Sequence, residues 1–162
     1  MLGIIINPKS GKKAFRLQRL YLWKLLKARH EPFIYRVTKY ANHAIELARE
    51  LVEEKGCTKI LVLGGDGTLS EVINGIMRAE LSPEQRANIK FGLMPRGTGN
   101  DFARNLGIKG ATEDIIHDIL KCERGTRIDL GVISWDQQKK RRLFCISSGI
   151  GFDALVCKYA MT

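Results

Sequence analysis

The sequence predicts an α/β domain built on a parallel β-sheet, followed by a shorter antiparallel segment. Over residues 1–125, short continuous apolar runs alternate with amphipathic stretches of helical spacing. This alternation is typical of repeated strand–helix units, which form a parallel sheet with helices on both faces. From Thr126 onward, apolar and polar residues alternate within two short runs, which favours an antiparallel hairpin. We therefore expect one domain over residues 1–125 and the start of a second over residues 126–162.

The first three predicted strands are short and rich in apolar, β-branched residues. They cover Leu2–Ile6, Phe33–Val37 and residues 59–63. Helical spacing of apolar residues predicts helices at about residues 15–26 and 41–54, one in each gap between these strands. The order strand–helix–strand–helix–strand is the order expected for parallel neighbours.

The remaining elements of the first domain are predicted in the same way. A helix is expected around Glu71, soon after the third strand, and a polar connector over residues 81–86 leads to a fourth strand at residues 91–94. Asn100 or Asp101 is the expected N-cap of a further helix. The last helix of the domain is predicted over residues 111–121, with Thr112 as its N-cap.

The predicted hairpin pairs residues 127–133 with residues 143–147. Between them lies a polar, basic tip over residues 136–142. The tip is expected to be solvated, because a nucleic-acid surface would need interleaved aromatic residues. An apolar stretch of helical character is expected over residues 154–161.

The most informative stretch is the glycine turn that follows the third strand. Gly64, Gly65 and Gly67 surround a single carboxylate, Asp66. Glycines let the backbone approach a ligand closely, and the N-terminus of a following helix suits a phosphate group. Asp66 would lie at the carboxyl edge of the sheet, where open α/β sheets bind their ligands.

Two other turns are expected at the same edge. Residues 7–11 follow the first strand without the spacing of a P-loop, so they form either a phosphate-binding loop or an ordinary strand–helix connection. Residues 95–104 form a second glycine-rich turn after the fourth strand, and neither glycine turn matches the dinucleotide fingerprint. Thr38, at the end of the second strand, either caps a turn or presents its hydroxyl to a ligand.

Charge and cysteine content restrict the class of protein. The formal net charge is +10, and the residues before the first acidic side chain, Glu31, include many lysines and arginines. Such a bias attracts phosphates, anionic lipid surfaces or nucleic acid, or simply forms a solvated helix face. The four cysteines include no C-x-x-C pair and no zinc spacing, so we expect a reduced, cytoplasmic protein.

Several motifs together carry a resemblance to a known family. They are Asn7-Pro8-x-x-Gly11, Gly64-Gly65-Asp66-Gly67-Thr68 and the segment over residues 95–104, with residues 127–131 and 148–153 farther along. The set resembles the catalytic domain of the diacylglycerol kinase family, in particular bacterial lipid kinases related to sphingosine and ceramide kinases. The resemblance covers essentially the whole chain.

The resemblance implies a fold and an activity. The fold would be a Rossmann-like three-layer domain, as in NAD kinases and phosphofructokinases, followed by the beginning of an antiparallel β-sandwich. The activity would be transfer of the γ-phosphoryl group of ATP to a lipid hydroxyl, with diacylglycerol as the expected acceptor. A cytoplasmic enzyme in peripheral contact with anionic membrane is implied, and a homodimer is left open.

The resemblance also implies site residues. Mg²⁺ would be held by Asp66, Asp101 and Asp129, with Asp66 as the catalytic organiser of the metal and not the general base. Lys12 and Lys13 are candidates for cationic phosphate contacts. The nucleotide would be lined by Asn7, Pro8, Lys9, Ser10, Gly11, Thr38, Gly64, Gly65, Asp66, Gly67, Thr68, Leu69, Ser70, Gly97 and Thr98.

In this family the general base and a structural Mg²⁺ loop belong to the C-terminal part of the enzyme. The expectation is therefore that residues 126–162 are a truncated sandwich domain. On this interpretation the chain binds nucleotide but does not phosphorylate lipid by itself.

Two alternative functions follow from the same residues. An NAD kinase or another small-molecule kinase would share the first glycine turn, although the segment at residues 97–104 argues against it. A basic nucleic-acid-binding α/β domain would explain the charge. No base-reading helix, RNA-recognition aromatics or zinc-finger spacing is present, so nucleic acid is not an expected partner.

Overall fold

The computed structural model describes residues 1–11, 15–108, 112–121, 125–137 and 139–160. The chain divides into two compact units, Met1–Arg127 and Ile128–Thr162.

The first unit contains a four-stranded parallel sheet. Its strands are β1 (Leu2–Ile6), β2 (Phe33–Val37), β3 (Lys59–Gly64) and β4 (Lys90–Pro95), in the order β2-β1-β3-β4. The pairing of β1 with β3 runs from Leu2 opposite Lys59 to Ile6 opposite Leu63. The predicted parallel sheet is confirmed, with β3 and β4 extending slightly beyond the predicted residues.

Six helices of the first unit lie within the described residues. The predicted helices after β1 and β2 are present, and two details differ from the prediction. The third helix already begins at Asp66, so much of the predicted glycine turn is helical. The predicted polar connector contains a short helix, which Ser82 and Gln85 cap through reciprocal hydrogen bonds of 2.8 and 3.1 Å. The helices are α1 (Phe15–Ala28), α2 (His43–Glu53), α3 (Asp66–Arg78), α4 (Pro83–Ala87), α5 (Asp101–Asn105) and α6 (Thr112–Lys121).

Helices cover both faces of the sheet, which makes a three-layer domain. On one face, Leu22 and Leu26 of α1 pack against alternate apolar residues of β1, β3 and β4. On the other face Gly3 lies against Leu51 of α2, and α2 in turn packs on α3. Fully burying each Leu or Ile side chain contributes about 1.5–3 kcal/mol, so this double-sided core holds the sheet in place. The α1-side core comprises Leu2, Ile4, Ile6, Leu22, Leu26, Leu61, Leu63 and Met94.

The strand order creates a switch point at the carboxyl edge of the sheet. The chain leaves β1 towards β2 on one side and leaves β3 towards β4 on the other. Open α/β sheets bind ligands in the crevice at such a point. The loops after β1, β3 and β4 all emerge at this edge because the strands are parallel.

In the part of the second unit that the structure describes, there are an antiparallel hairpin and one helix. Its elements are β5 (Gly131–Trp135), β6 (Lys140–Phe144) and α7 (Phe152–Ala160), with Trp135 opposite Lys140. The predicted strand bounds and tip are wrong, because residues 127–130 and 145–147 lie outside β5 and β6, and residues 140–142 are part of β6. Asp136 and Gln137 instead make the turn, with positive φ angles of 57° and 51°. No helix in the described part of the chain has the length and apolar character that crossing a membrane requires.

Candidate functional site

The loop after β1 is tied to the start of α3 by a side-chain hydrogen bond. The Asn7 Nδ2 group donates to Thr68 Oγ1 at 2.9 Å, and the Asn7 backbone N–H donates to the carbonyl of Leu63 at 2.9 Å. The Asn7 Oδ1 atom also accepts from the backbone N–H of Lys9 at 3.0 Å. Asn7 therefore fixes the first loop against the end of β3 and the first turn of α3.

Glycine is required at two positions of the first glycine turn because the chain is crowded there. A Cβ atom on Gly64 would lie 2.6 Å from Thr68 Cβ, and one on Gly65 would lie 2.8 Å from Gly97 Cα. A Cβ on Gly67, by contrast, would meet nothing within 4 Å. Space is thus left open beside the first turn of α3, where the N–H groups have no partner within the helix and the dipole is positive.

The Asp66 carboxylate joins the two glycine turns. Its Oδ2 atom accepts from the Asp101 N–H at 3.0 Å, and its Oδ1 atom accepts from the Phe102 N–H at 3.2 Å. These N–H groups open α5, where Asn100 occupies the predicted N-cap position without making a side-chain cap hydrogen bond. Asp66 of the first glycine turn therefore caps α5, a contact that sequence spacing did not indicate.

The second glycine turn is closed by its own asparagine. Asn100 has a left-handed backbone, with φ of 53°, and its Oδ1 atom accepts from the Gly97 N–H at 2.8 Å. Its Nδ2 group donates to the Gly97 carbonyl at 2.7 Å. The Arg96 N–H donates to the Gly64 carbonyl at 2.8 Å. The second turn is thus braced directly against the first.

Asp66 and Asp101 face the same small space. A Cβ atom on Gly99 would lie 3.4 Å from the Oδ2 atom of each carboxylate. Asp101 also pairs with Arg104 through its other oxygen. Among the described residues, no group of three or more His, Cys, Asp or Glu side chains is suited to a metal ion. Two carboxylates fit Mg²⁺, which keeps several waters and takes its remaining ligands from phosphate.

Asp129, the third predicted metal ligand, is exposed and lies in the second unit. Its role therefore stays a prediction. Lys12 and Lys13, the candidates for cationic phosphate contacts, lie outside the described residues.

Thr38 lies beside the first loop. Its backbone N–H donates to the Ile6 carbonyl at 2.9 Å, which places the start of the β2–α2 connection next to the end of β1. A cleft opens between the two loops and α3. It is lined by Asn7, Lys9, Thr38, Lys39, Tyr40, Ala41 and Glu71.

Glu71 has a structural role that the sequence did not reveal. Its two carboxylate oxygens accept from the backbone N–H groups of Asn42 at 3.0 Å and of Ala44 at 3.2 Å. Asn42, the N-cap of α2, makes no side-chain cap hydrogen bond, so Glu71 caps α2 from α3. The α2–α3 wall of the cleft is stiffened by this contact.

The other predicted nucleotide residues differ in their exposure. Pro8, Gly11 and Thr98 are exposed, and Ser10 and Ser70 are half-buried. The Leu69 side chain is fully buried in the core, so packing is the contribution that the structure assigns to it.

Arg96 was not predicted and lies between two loops. Gly11 has a φ of 89° and lies close to Arg96. A Cβ atom built on Gly11 would be 3.5 Å from Arg96 Cδ. The Arg96 Nε atom is buried and has no hydrogen-bond partner among the described residues, and burial lowers the pKa of this guanidinium. Its place directly before Gly97 in the second glycine turn is the only sequence signal for it.

Comparison with known proteins assigns the family. A profile of the diacylglycerol kinase catalytic domain matches residues 1–133. The "putative lipid kinase YtlR" of Bacillus subtilis is 35% identical over 97% of this chain and 50% of its own length. A diacylglycerol kinase of Staphylococcus epidermidis is 38% identical over 79% of this chain and 38% of its own length.

A solved structure agrees with the sequence comparisons. The crystal structure of a diacylglycerol kinase from Bacillus anthracis superposes with a TM-score of 0.66 at 27% identity, covering 81% of this chain and 43% of that one. The chain thus spans half or less of the length of these relatives. The profile covers most of the sequence, and the chain therefore belongs to the diacylglycerol kinase catalytic domain family.

Proposed function

We propose that this protein transfers the γ-phosphoryl group of ATP to a lipid hydroxyl, with diacylglycerol as the acceptor. The observation that carries the proposal is the pair of carboxylates, Asp66 and Asp101, that face one space beside the first turn of α3. Membership of the family and the names of the relatives support the same reaction. Residues 1–125 would form the nucleotide domain, and residues 126–162 the start of a β-sandwich.

The nucleotide would lie along the carboxyl edge of the sheet. Residues 7–11 would line the phosphates, and backbone N–H groups of the first turn of α3 would hold them, because the N-terminus of a helix attracts anions. Thr38, Gly97 and Thr98 would line the same path. Phosphoryl transfer depends mainly on positioning of the phosphates and stabilisation of their charge, and these loops can provide both.

Asp66 and Asp101 would hold Mg²⁺. The bound ion would neutralise charge on the phosphates. The contribution of the chain itself is to keep the Asp66 carboxylate fixed, since both its oxygens accept backbone N–H groups of α5. A fixed carboxylate needs little reorganisation when the nucleotide binds.

We also propose a cytoplasmic protein that contacts anionic membrane at its surface. Exposed Lys24, Lys27 and Arg29 lie on or next to α1, and each basic side chain near an anionic surface is worth about 1 kcal/mol. Binding to vesicles that contain anionic lipid should therefore weaken steeply as salt is raised. Equal binding to neutral vesicles would contradict this part of the proposal.

The reaction is tested with the full-length protein, meaning the longest gene product that carries this sequence. It is given γ-labelled ATP and Mg²⁺ with diacylglycerol, sphingosine or NAD as acceptor. We expect label in phosphatidic acid and a loss of it in Asp66→Asn, whereas Glu84→Gln on exposed α4 removes one charge without effect. A preference for NAD, or no transfer to any lipid, would refute the proposal.

A further inference from the structure

The cleft beside Asn7 carries an aromatic pair at its rim. The rings of Tyr40 and His43 are stacked, with centroids 4.2 Å apart and an interplanar angle of 15°. Both rings are also anchored by hydrogen bonds. The Tyr40 hydroxyl donates to Glu46 Oε2 at 2.8 Å, and His43 Nδ1 accepts from the Lys39 backbone N–H at 3.0 Å.

Tyr40 is held in place without being buried. It is 54% exposed although one ring face is occupied by His43 and its hydroxyl is bonded. It is a lining residue of the cleft, together with Asn7 and Thr38. A fixed, half-exposed aromatic ring adds little to the core and offers a flat apolar surface to a ligand.

The cleft connects this ring with the start of α3. Asn7 lines the cleft and is hydrogen-bonded to Thr68, in the first turn of α3. A ligand with phosphates at that turn and a flat group at its other end would therefore pass Asn7 and reach Tyr40. A nucleoside phosphate has this chemistry, because any base presents a π-face to an aromatic side chain.

We infer that Tyr40, supported by His43, is the stacking platform for the base of the nucleotide. The inference rests on the proposed function, since it requires a nucleoside triphosphate in this cleft. The hydrogen bond to Glu46 orients the ring, and the ring itself makes the contact with the base. Tyr40 is thus a positioning residue for the donor substrate.

Calorimetry on the full-length protein tests the inference. We expect Tyr40→Ala to weaken ATP and ADP binding about tenfold while inorganic tripolyphosphate binds as before. Tyr40→Phe keeps the ring and should stay within about twofold of the unmodified protein. Tyr35→Ala is the matched control, because Tyr35 is 47% exposed and does not line the cleft.

A spectroscopic measurement separates stacking from a structural effect. The fluorescence of 2-aminopurine riboside triphosphate should be quenched on binding, and the quenching should be lost in Tyr40→Ala. If Tyr40→Ala binds ATP normally, or loses tripolyphosphate to the same extent as ATP, the inference is wrong and the kinase proposal stands. If the unmodified protein binds neither nucleotide nor tripolyphosphate, the proposed function fails as well.

Discussion

The two glycine turns at the carboxyl edge of the sheet look alike in sequence but are built differently. In the first, β3 ends at Gly64 and α3 starts at Asp66, so a single residue separates strand from helix. In the second, β4 ends at Pro95 and α5 starts at Asp101. The first turn continues into a buried helix of 13 residues, while the second leads to a helix of five.

This difference shows that one turn supports the other. The first turn is fixed by its own helix, whose Thr68 and Leu69 are buried. The second depends on side chains, namely Asn100 from within and Asp66 from the first turn. Asp66 therefore has two roles in our account, as the cap of α5 and as a proposed metal ligand, and substitutions can separate them.

The largest expected effect is that of Asp66→Asn on phosphoryl transfer. The amide keeps one acceptor oxygen but cannot accept at nitrogen, so one of the two N–H groups of α5 loses its partner. Loss of the charge should lower kcat by at least about 100-fold, while the free energy of unfolding falls by only about 1 kcal/mol. Steady-state kinetics and urea unfolding measure the two quantities. Retained turnover would show that Asp66 is only structural.

A pair of glycine substitutions should come next. Gly65→Ala places a Cβ atom against the backbone of Gly97 and should cost about 1–3 kcal/mol of unfolding free energy. Gly67→Ala meets nothing and lies within α3, so it should stabilise the protein by up to about 1 kcal/mol. Chemical denaturation compares the two. Equal effects would mean that the close approach of the two turns is not needed.

A smaller effect is expected for Asn100→Ala, which acts on the second turn alone. It removes both hydrogen bonds to Gly97 and should cost about 1 kcal/mol. Hydrogen exchange should rise at the amides of residues 97–99 and stay unchanged in the first turn of α3. A rise in both places would show that the first turn also depends on the second.

The smallest expected effect is a change in stability at acid pH. It involves a contact that lies away from both glycine turns. The hydrogen bond from Arg36 lowers the pKa of Glu50. Because the folded-state pKa is the lower one, the stabilisation is present above the ordinary Glu pKa of about 4.3 and is lost as pH falls through the lowered value. Without this contact, Tm of Arg36→Gln should fall less steeply over this pH range than Tm of the unmodified protein. An unchanged decline would assign the acid sensitivity to other carboxylates.

Much of the fold was predictable because it depends on local pattern. β1 is an apolar, β-branched run and β2 is rich in aromatic and β-branched residues, and their predicted bounds match those observed. The early start of α3 was missed because Asp66 and Gly67 have low helix propensity, whereas burial of Thr68 and Leu69 favours the helix there. Tertiary packing determines where such a helix begins, and the local sequence pattern does not indicate it.

The site was predictable in outline but not in its connections. Glycine motifs indicated which loops meet at the sheet edge. The caps supplied by Asp66 to α5 and by Glu71 to α2 join residues far apart in sequence, so spacing rules could not find them. Arg96 and Tyr40 became candidates only once their partners in space were known.

The most direct test of the central claim is an amide chemical-shift titration of the full-length protein with ADP and Mg²⁺. The claim is that the loop after β1 and the two glycine turns form one nucleotide site. It predicts that the amides of residues 7, 9–11, 64–70 and 97–98 shift together with one dissociation constant, while those of α4 do not move. Shifts that spare residues 64–70, or that saturate separately in the three loops, would contradict it.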